Sequence, residues 1–322
     1  MRLPNHRMNL YKECEGAKRI AVSGHIRPDG DCVGSCMAIA LYLRKRMPDA
    51  TVDVYLDEVS DVFACIPGVE SIRHEAPDNI TYDIFICADC EPARMSFGHE
   101  LYRSAARTIN IDHHITNVPG GGDVNYVYPE SGSAAELVYE VIDHDHLDHD
   151  IALAIYIGII HDTGVLQYSN VRPKTHQTVS HLMSYGLNCP EIIQKTFYEK
   201  TYIQSQILGR ALLESLIFMD GRCVVSVVDK KTMEFYGADS RDLEGIVNAM
   251  RNIRGIDCAI FMYELGLQEY KVSLRTSEAV DASTVTSVFG GGGHDRAAGV
   301  TMRGTYHDVI NNLSKEIAKQ LK

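Results

Sequence analysis

Short apolar segments alternate with helical segments through the first half of the chain, and this alternation constrains the fold more than any other feature. Four segments have the length and composition of buried strands: 19–23, 51–56, 82–87 and 108–111. Four others predict helices: 31–46, 133–142, 151–160 and 174–185. This order predicts an α/β fold, with a mostly parallel, doubly wound sheet covered by helices on both faces. In such folds ligands bind beyond the carboxyl ends of the strands.

The second half of the chain predicts a smaller α/β domain. The strands are expected at 222–228, 257–263 and 269–275, and the helices at 242–252, 282–289 and 306–321. A polar helical stretch separates the two halves, and we interpret it as a connector. We therefore expect a first domain over residues 1–190, a helical connector over 191–213 and a second domain over 214–322, which faces the first across a cleft.

Charge and cysteine content exclude several classes of protein. The net charge of -12 leaves no broad basic surface for a long nucleic-acid duplex. No apolar run could span a membrane, and residues 1–10 lack the apolar core of a signal peptide. The nine cysteines have no framework spacing, which indicates a reducing cytoplasm. Cys87 and Cys90 form a C-x-x-C pair, for which packing at a strand end is favoured over a zinc or redox role.

Ligand-type residues follow the first and third predicted strands. His25, Asp29 and Asp31 lie on a turn that Pro28 and Gly30 shape, so one imidazole and two carboxylates can face a common space. The alternative is an aspartate-rich turn that caps the following helix. Asp89 closely follows the third strand, at the sheet edge where sites form, and an ordinary turn residue is the alternative there.

Two further motifs follow a strand and a helix. Asp112, His113 and His114 follow the strand over 108–111, and adjacent histidines of an extended chain point in different directions. One of them can ligate a metal while the other faces substrate, and Asp112 can orient an imidazole. Asp162 follows the apolar helix over 151–160, where a buried carboxylate is costly unless it is paired or bound to metal. A helix stop capped by Gly164 is the alternative.

The conjunction of these four motifs indicates a metal centre. Together they supply a hard, oxygen-rich ligand set with some nitrogen, which suits Mn²⁺ or Mg²⁺ better than structural zinc. Two such ions lie about 3.5–4 Å apart when a carboxylate is shared between them. The histidine- and aspartate-rich stretch over 144–150 lies between two predicted helices, so we interpret it as a solvated loop with Asp150 as a helix N-cap.

The order of these motifs resembles the four-motif signature of the DHH phosphoesterase superfamily. Near the C-terminus, the sequence FGGGGH over 289–294 and AAG over 297–299 look like the glycine-rich motif of the associated DHHA1 domain, and SLR over 273–275 also fits. The resemblance covers nearly the whole chain. Its nearest branch looks like the nanoRNase group, whose members hydrolyse short oligoribonucleotides and 3′-phosphoadenosine-5′-phosphate.

The resemblance implies a division of labour among the motif residues. Two divalent ions are expected, with Mn²⁺ preferred over Mg²⁺. One ion would be held by His25, Asp29 and Asp89. The second would be held by Asp31, Asp89, His113 and Asp162, with Asp89 as the bridge. His114 would contact the phosphoryl group, and Asp112 would support the cluster.

The C-terminal motif has a physical interpretation of its own. Consecutive glycines, Gly291, Gly292 and Gly293, let backbone N–H groups converge on an anion, although a flexible loop is the alternative. His294 and Arg275 could add charge-assisted contacts to a phosphate. A further candidate phosphate contact is Arg94. Two departures from the family pattern are His161 and Asp295, the latter placing negative charge near the expected phosphate site.

Four other functions remain as alternatives. A family II pyrophosphatase would carry a basic Arg-Lys motif that this chain lacks, and a RecJ-like exonuclease would need a longer chain. A cyclic-dinucleotide phosphodiesterase shares both domains and is the strongest enzymatic alternative. A non-catalytic nucleotide-binding regulator would lack a ligand, whereas all the expected ligands are present. The expected partners are short RNA or nucleotides, with no membrane partner, and the sequence leaves a homodimer open.

Overall fold

A computed structural model describes residues 9–77, 79–95 and 98–321. The chain divides into two compact units between Glu199 and Lys200, inside the stretch predicted as the connector. Most of the segment tested for a signal peptide, residues 1–10, lies outside the described residues. Of the helices within the described ranges, none combines the length and apolar character needed to cross a bilayer.

The first unit is built on a five-stranded parallel sheet. Its strands are β1 (Arg19–Ser23), β2 (Thr51–Tyr55), β3 (Ile84–Ala88), β4 (Arg107–Asp112) and β5 (Val124–Val127). The strand order is β2-β1-β3-β4-β5, and each neighbouring pair is parallel. The predicted α/β class is therefore confirmed. The edge strand β5 was not predicted, because it is short and only Tyr126 within it is buried.

The first unit also contains several helices. They are α1 (Leu10–Cys14), α2 (Gly30–Arg46), α3 (His99–Ser104), α4 (Ala134–Val141), α5 (His149–Asp162), α6 (Pro173–Met183) and α7 (Cys189–Ile193), which continues as a π-helical turn over Gln194–Tyr198. All residues from Ile151 to Ile160 of α5 are buried, as expected for a helix that is apolar on every side. The N-cap of α5 is Asp148, whose side chain accepts from the amide of Ile151. The prediction of Asp150 as the cap was wrong by two residues, since the helix starts earlier.

The second unit contains a six-stranded mixed sheet. Its strands are β6 (Leu216–Phe218), β7 (Cys223–Val228), β8 (Cys258–Gly266), β9 (Glu269–Thr276), β10 (Gly292–His294) and β11 (Ala297–Arg303), in the order β10-β11-β9-β8-β7-β6. Only β7 and β8 pair in parallel. Its helices are α8 (Tyr202–Leu213), α9 (Lys230–Tyr236), α10 (Ile246–Arg251), α11 (Ala282–Ser287) and α12 (Tyr306–Ala318). The three strands predicted here are confirmed, whereas β6, β10 and β11 were not predicted.

Candidate metal centre

His25 follows β1 by two residues and is oriented by its own neighbour. Its Nδ1 lies 2.8 Å from the carbonyl oxygen of Ile26, and because a carbonyl can only accept, Nδ1 carries a proton. The opposite ring atom, Nε2, lies 3.4 Å from Oδ2 of Asp89. The hydrogen bond at Nδ1 therefore directs Nε2 into the cluster, as is usual for histidines that bind metal.

Asp29 and Asp31 flank the start of α2 and have different environments. Asp29 is the N-cap: its Oδ1 accepts from the amides of Asp31 and Cys32 at 3.0 and 3.1 Å. The same oxygen lies 3.7 Å from Nε2 of His25. The capping role considered for this turn is thus present, and it leaves Asp29 at the rim of the cluster with its side chain 58% exposed.

Asp31 is buried and held by the start of another helix. Its oxygens accept from the backbone amides of Ala134 and Ala135, the first residues of α4, at 2.7 and 2.9 Å. The hydroxyl of Ser35 adds a third contact at 3.2 Å. A helix N-terminus stabilises a negative charge, so these amides oppose the effect of burial on Asp31 and hold its carboxylate in a fixed orientation.

Asp89 occupies the centre of the cluster. It follows β3 directly and adopts a left-handed backbone conformation with φ of 60°, and its amide donates to the carbonyl of Ile111 at 2.9 Å. Its side chain lies between two imidazoles, with Oδ1 3.5 Å from Nε2 of His113 and Oδ2 near His25. Asp89 is 2% exposed. Its Oδ1 has no hydrogen-bond partner in the part of the chain that the structure describes.

The Asp112-His113-His114 motif lies where β4 ends. Asp112 is fully buried, and its Oδ1 accepts from the amides of His113 and His114 at 2.7 and 3.1 Å. The same oxygen lies 2.7 Å from Nδ1 of His114, so Asp112 holds a proton on that nitrogen. Asn117 donates to the other oxygen at 2.7 Å. Asp112 therefore orients the two histidines, and Asn117, which the sequence analysis missed, fixes Asp112 in turn.

Asp162 is the last residue of α5. Its Oδ2 lies 3.5 Å from Nε2 of His113. Thr163 is the C-cap of this helix, and Gly164 follows in the left-handed conformation with φ of 55°, as predicted for the helix stop. The motif therefore both ends the helix and places a carboxylate in the cluster.

The side chains form three overlapping groups whose offered ligand atoms lie within 4.8 Å of one another. The groups are His25, Cys32 and Asp89; then Asp89, His113 and His114; and then Asp31, His113 and Asp162. Asp89 and His113 are each shared between two groups. Asp29 belongs to none of them, and Cys32 is a ligand-type residue that the sequence analysis missed.

The electrostatics of the cluster fit bound cations. Burial raises the pKa of Asp31 well above its ordinary value, and the charges of Asp89 and Asp162 add to the effect. Burial also raises the pKa of Asp162 to about 6, although His113 opposes it. Burial would raise the pKa of Asp89 as well, but the contacts with His113 and His25 outweigh it and lower the pKa. These carboxylates share one buried space, so a cation there would relieve their repulsion and satisfy Oδ1 of Asp89.

The imidazoles show the complementary effect. Burial would lower the pKa of His113, but Asp89, Asp162 and Asp31 outweigh it and raise the pKa well above the ordinary value. The pKa of His25 is raised as well, because Cys32, Asp29 and Asp89 outweigh burial. Without metal, the carboxylates therefore favour protonated imidazoles. A metal ion would replace those protons, which is the usual linkage at histidine sites.

The remaining predicted contacts lie in other surroundings. Arg94 is exposed, and its carbonyl accepts from the amide of Ile26 at 3.1 Å, beside the turn that carries His25. Cys87 and Cys90 are buried thiols with their sulfurs 3.6 Å apart, outside the three ligand groups of described residues. The stretch over 144–150 likewise contributes to none of these groups.

The residues predicted to bind substrate in the second unit lie on or just before two strands, β9 and β10, which flank β11. Arg275 is partly buried on β9, and its Nη1 donates to the carbonyl of Leu274 at 3.1 Å. Gly292, Gly293 and His294 form the exposed edge strand β10, which pairs with β11. A side chain at Gly293 would collide with the carbonyl of Ala297, since a Cβ there would lie 2.4 Å from it.

Gly291 precedes the edge strand and is also sterically restricted. A Cβ at this position would lie 2.5 Å from the carbonyl oxygen of Gly299 and 2.6 Å from Cβ of Val300. Part of the glycine run is therefore required for the close approach of β10 to β11, whatever its role towards an anion.

Comparison with known proteins defines the class of this chain. Residues 19–159 match the DHH family, N-terminal domain, and residues 220–322 match the DHHA1 domain. The first unit therefore contains a DHH-family N-terminal domain, and the second unit contains a DHHA1 domain.

Individual relatives give the same result. The chain is 26% identical over 321 residues to the bifunctional oligoribonuclease and PAP phosphatase NrnA of Thermus thermophilus, covering 96% of this chain and 93% of that protein. Its structure is similar to that of an exopolyphosphatase-related protein from Bacteroides fragilis, with a TM-score of 0.83, 23% identity and coverage of 96% and 94%. It is also similar to RecJ of Thermus thermophilus in complex with Mn²⁺, with a TM-score of 0.57, 12% identity and coverage of 96% and 54%. The two structural similarities show the fold.

Proposed function

We propose that this protein is a metal-dependent phosphoesterase that hydrolyses short oligoribonucleotides and 3′-phosphoadenosine-5′-phosphate. The observation that carries the proposal is Asp89, a buried carboxylate between His25 and His113 whose Oδ1 has no hydrogen bond among the described residues. A carboxylate in that position is suited to bridge two cations. The name of the Thermus thermophilus relative supports the substrate class.

The ligands would divide between two ions as the family resemblance implies. His25, Asp29 and Asp89 would hold the first ion. The second would be held by Asp31, Asp89, His113 and Asp162. Mn²⁺ is our first choice and Mg²⁺ the second, because most ligand atoms are oxygens. When bound, such ions lower the pKa of a coordinated water and neutralise charge on phosphate oxygens.

The chain itself would position the substrate. Asp112 holds the proton of His114 on Nδ1, and this contact orients the imidazole towards a phosphoryl oxygen in our proposal. Asp31 stays fixed by the amides of Ala134 and Ala135, so its carboxylate needs no rearrangement when the reaction begins. No protein nucleophile is needed in this scheme, because ions of this kind supply an activated water.

Substrate recognition is assigned to the second unit. Arg275 and His294, with the glycines of β10, would bind a terminal phosphate or a backbone phosphate of the nucleotide. Arg94, beside the turn that carries His25, would contact the phosphate nearer the metal centre. Binding energy away from the reacting phosphate fixes its orientation at the metals.

Compartment and cysteine chemistry agree with this assignment. All nine cysteines are free thiols, and eight of them are buried. We propose a cytoplasmic location, because free thiols persist in a reducing environment.

A substrate panel with added Mn²⁺ tests the proposal. The panel contains RNA dimers to pentamers, 3′-phosphoadenosine-5′-phosphate, cyclic dinucleotides and pyrophosphate. We expect hydrolysis of the first two classes and its loss in excess chelator. Asp145→Ala, in the stretch over 144–150, is a matched control that should keep full activity, since it removes an exposed carboxylate outside the cluster. Preferential cleavage of cyclic dinucleotides or pyrophosphate would replace our substrate assignment.

A further inference from the structure

Cys32 lies in the first turn of α2, directly after Asp31, and its side chain faces the metal centre. The residue is fully buried. Its sulfur shares a ligand group with His25 and Asp89, in which all offered atoms lie within 4.8 Å of one another. The position is unusual for a packing cysteine, because two strong ligands of a cation surround the thiol on the same side.

Two local features hold the thiol in this place. The amide of Cys32 donates to Oδ1 of Asp29 at 3.1 Å, so the helix cap fixes the first turn of α2. Gly24, before His25, leaves room for the sulfur: a Cβ at residue 24 would lie 2.2 Å from Sγ of Cys32 and 3.2 Å from the carbonyl of Ala88. Any side chain at residue 24 would therefore displace the thiol from the cluster.

An independent observation at Asp89 points to a cation in the same space. This carboxylate is 2% exposed, its Oδ2 lies 3.4 Å from Nε2 of His25, and its Oδ1 lacks a hydrogen-bond partner within the described ranges. A buried carboxylate oxygen without a donor is costly unless a cation binds it. The thiol, the imidazole and the carboxylate thus converge where a positive charge is needed.

We propose that Cys32 is a thiolate ligand of the ion held by His25 and Asp89. With His25, Asp29 and Asp89, this sulfur would complete a mixed set of one thiolate, one imidazole and two carboxylates. Thiolates select thiophilic ions, so this site should prefer Zn²⁺ or Co²⁺ over Mn²⁺ more strongly than a site made of oxygen and nitrogen alone. The inference rests on the metal binding in our proposed function, but it adds a ligand that the family resemblance does not assign.

Zinc X-ray absorption spectroscopy tests the ligand directly and needs no substrate. The intact protein and two variants would be loaded with Zn²⁺. Cys32→Ala removes the proposed ligand, and Cys14→Ala is a control, because Cys14 lies in α1, is equally buried and belongs to none of the three ligand groups of described residues. We expect a sulfur scatterer at about 2.3 Å in the wild type and in Cys14→Ala, and its absence in Cys32→Ala.

Competition with a chromophoric chelator measures the consequence for metal preference. The ratio of Zn²⁺ to Mn²⁺ affinity should fall roughly ten-fold or more in Cys32→Ala and stay unchanged in Cys14→Ala. Zinc bound at wild-type stoichiometry without any sulfur scatterer would overturn the inference and leave the phosphoesterase proposal intact. A sulfur scatterer in a protein that hydrolyses none of the panel substrates would support Cys32 as a ligand and contradict the phosphoesterase proposal.

Discussion

Gly158 of α5 lies directly against the carboxylate of Asp31. A Cβ at residue 158 would come within 3.0 Å of Oδ1 of Asp31 and within 2.5 Å of Cβ of Ala135. The amide of Ala135 donates to that same oxygen at 2.9 Å. The missing side chain of Gly158 therefore allows α5, α4 and the start of α2 to meet around one buried charge.

We expect Gly158→Ala to disturb both stability and metal binding. Overpacking of a buried contact costs about 1–3 kcal/mol. The added methyl would also push Asp31 or Ala135 from the observed position, so affinity for the second ion should fall. Urea unfolding and isothermal titration with Mn²⁺ measure the two effects.

The matched control is Gly209→Ala in α8, where a Cβ would meet no atom within 4 Å. Alanine in an open helical position stabilises by about 0.4–1 kcal/mol. Equal stability and equal metal affinity in the two variants would show that the contact between Gly158 and Asp31 is unimportant.

Asp89→Asn should abolish turnover while the protein stays folded. Asparagine tolerates the left-handed conformation at this position, whereas alanine there would add strain to the loss of charge. The variant loses the negative charge proposed to bridge the two ions, so elemental analysis should show reduced metal content alongside an unchanged circular dichroism spectrum. Near-normal turnover with both ions retained would contradict the bridging role.

His114→Ala separates a phosphoryl contact from a ligand role. The imidazole is held by Asp112 at 2.7 Å, and it also shares a ligand group with Asp89 and His113. We expect kcat to fall by about 10²–10⁴-fold with the metal content unchanged, as for the loss of a group that acts on the reacting phosphate. His146→Ala in the stretch over 144–150 should leave kcat unchanged. Loss of one ion from His114→Ala would make this histidine a ligand.

The positions of the motifs were predictable because they depend on sheet topology. Polar residues directly after buried strands have to gather at the carboxyl edge of a parallel sheet, and Asp89 and Asp112 do so. Asp162 was predictable in a similar way, from a charged residue that ends a helix apolar on every side.

Three other features of the structure could not be predicted from the local sequence. Cys32 lies in an apolar helical pattern, where a cysteine is ordinarily a packing residue, and only the three-dimensional positions of His25 and Asp89 give it a different meaning. The strand β10 was missed because three residues with two glycines have no strand propensity, and its pairing with β11 depends on long-range contacts. The cap at Asp148 was misplaced because Asp148 and Asp150 are both suitable caps and local sequence does not choose between them.

His161 should make the stability of the metal-free protein sensitive to acid. Its ring packs against Phe63 and Phe197, with centroids 5.0 and 5.4 Å apart. Burial lowers its pKa to about 4, although Asp29 and Thr196 oppose the effect. Because the ordinary value is about 6.5, the unfolded chain takes up the proton first as the pH falls. This contribution to stability is full above about pH 6.5 and is lost as the pH falls from there to about 4.

The variant His161→Phe tests this pH dependence. It keeps an aromatic ring in the same packing but removes the titration, so the loss of unfolding free energy between about pH 7 and about pH 5 should be smaller than in the wild type. The control His176→Gln changes an exposed histidine of α6 and should follow the wild type. If the unfolding free energy fell equally with pH in all three proteins, His161 would not be the cause of the acid sensitivity.

Arg275→Ala should weaken the binding of nucleotides and leave the metal centre unchanged. Arg275 lies on β9 of the second unit, where its backbone is fixed by pairing with Ala297 and Ala259 on the flanking strands. Its guanidinium is proposed to bind a phosphate away from the reacting one, and a hydrogen bond to a charged group contributes about 1.5–3 kcal/mol. Since about 1.4 kcal/mol is ten-fold in affinity, KM for a 5′-phosphorylated dinucleotide, which carries a second phosphate, should rise at least about ten-fold with kcat less affected. The effect should be weaker on bis-p-nitrophenyl phosphate, which has no second phosphate to bind.

Arg303→Ala, on the neighbouring strand β11 and 85% exposed, is the matched loss of a positive charge and should leave both KM values unchanged. Metal content measured on the same preparations shows whether Arg275 affects substrate binding or metal binding. An equal rise in KM for both substrates, or a loss of bound metal, would place Arg275 in a different role.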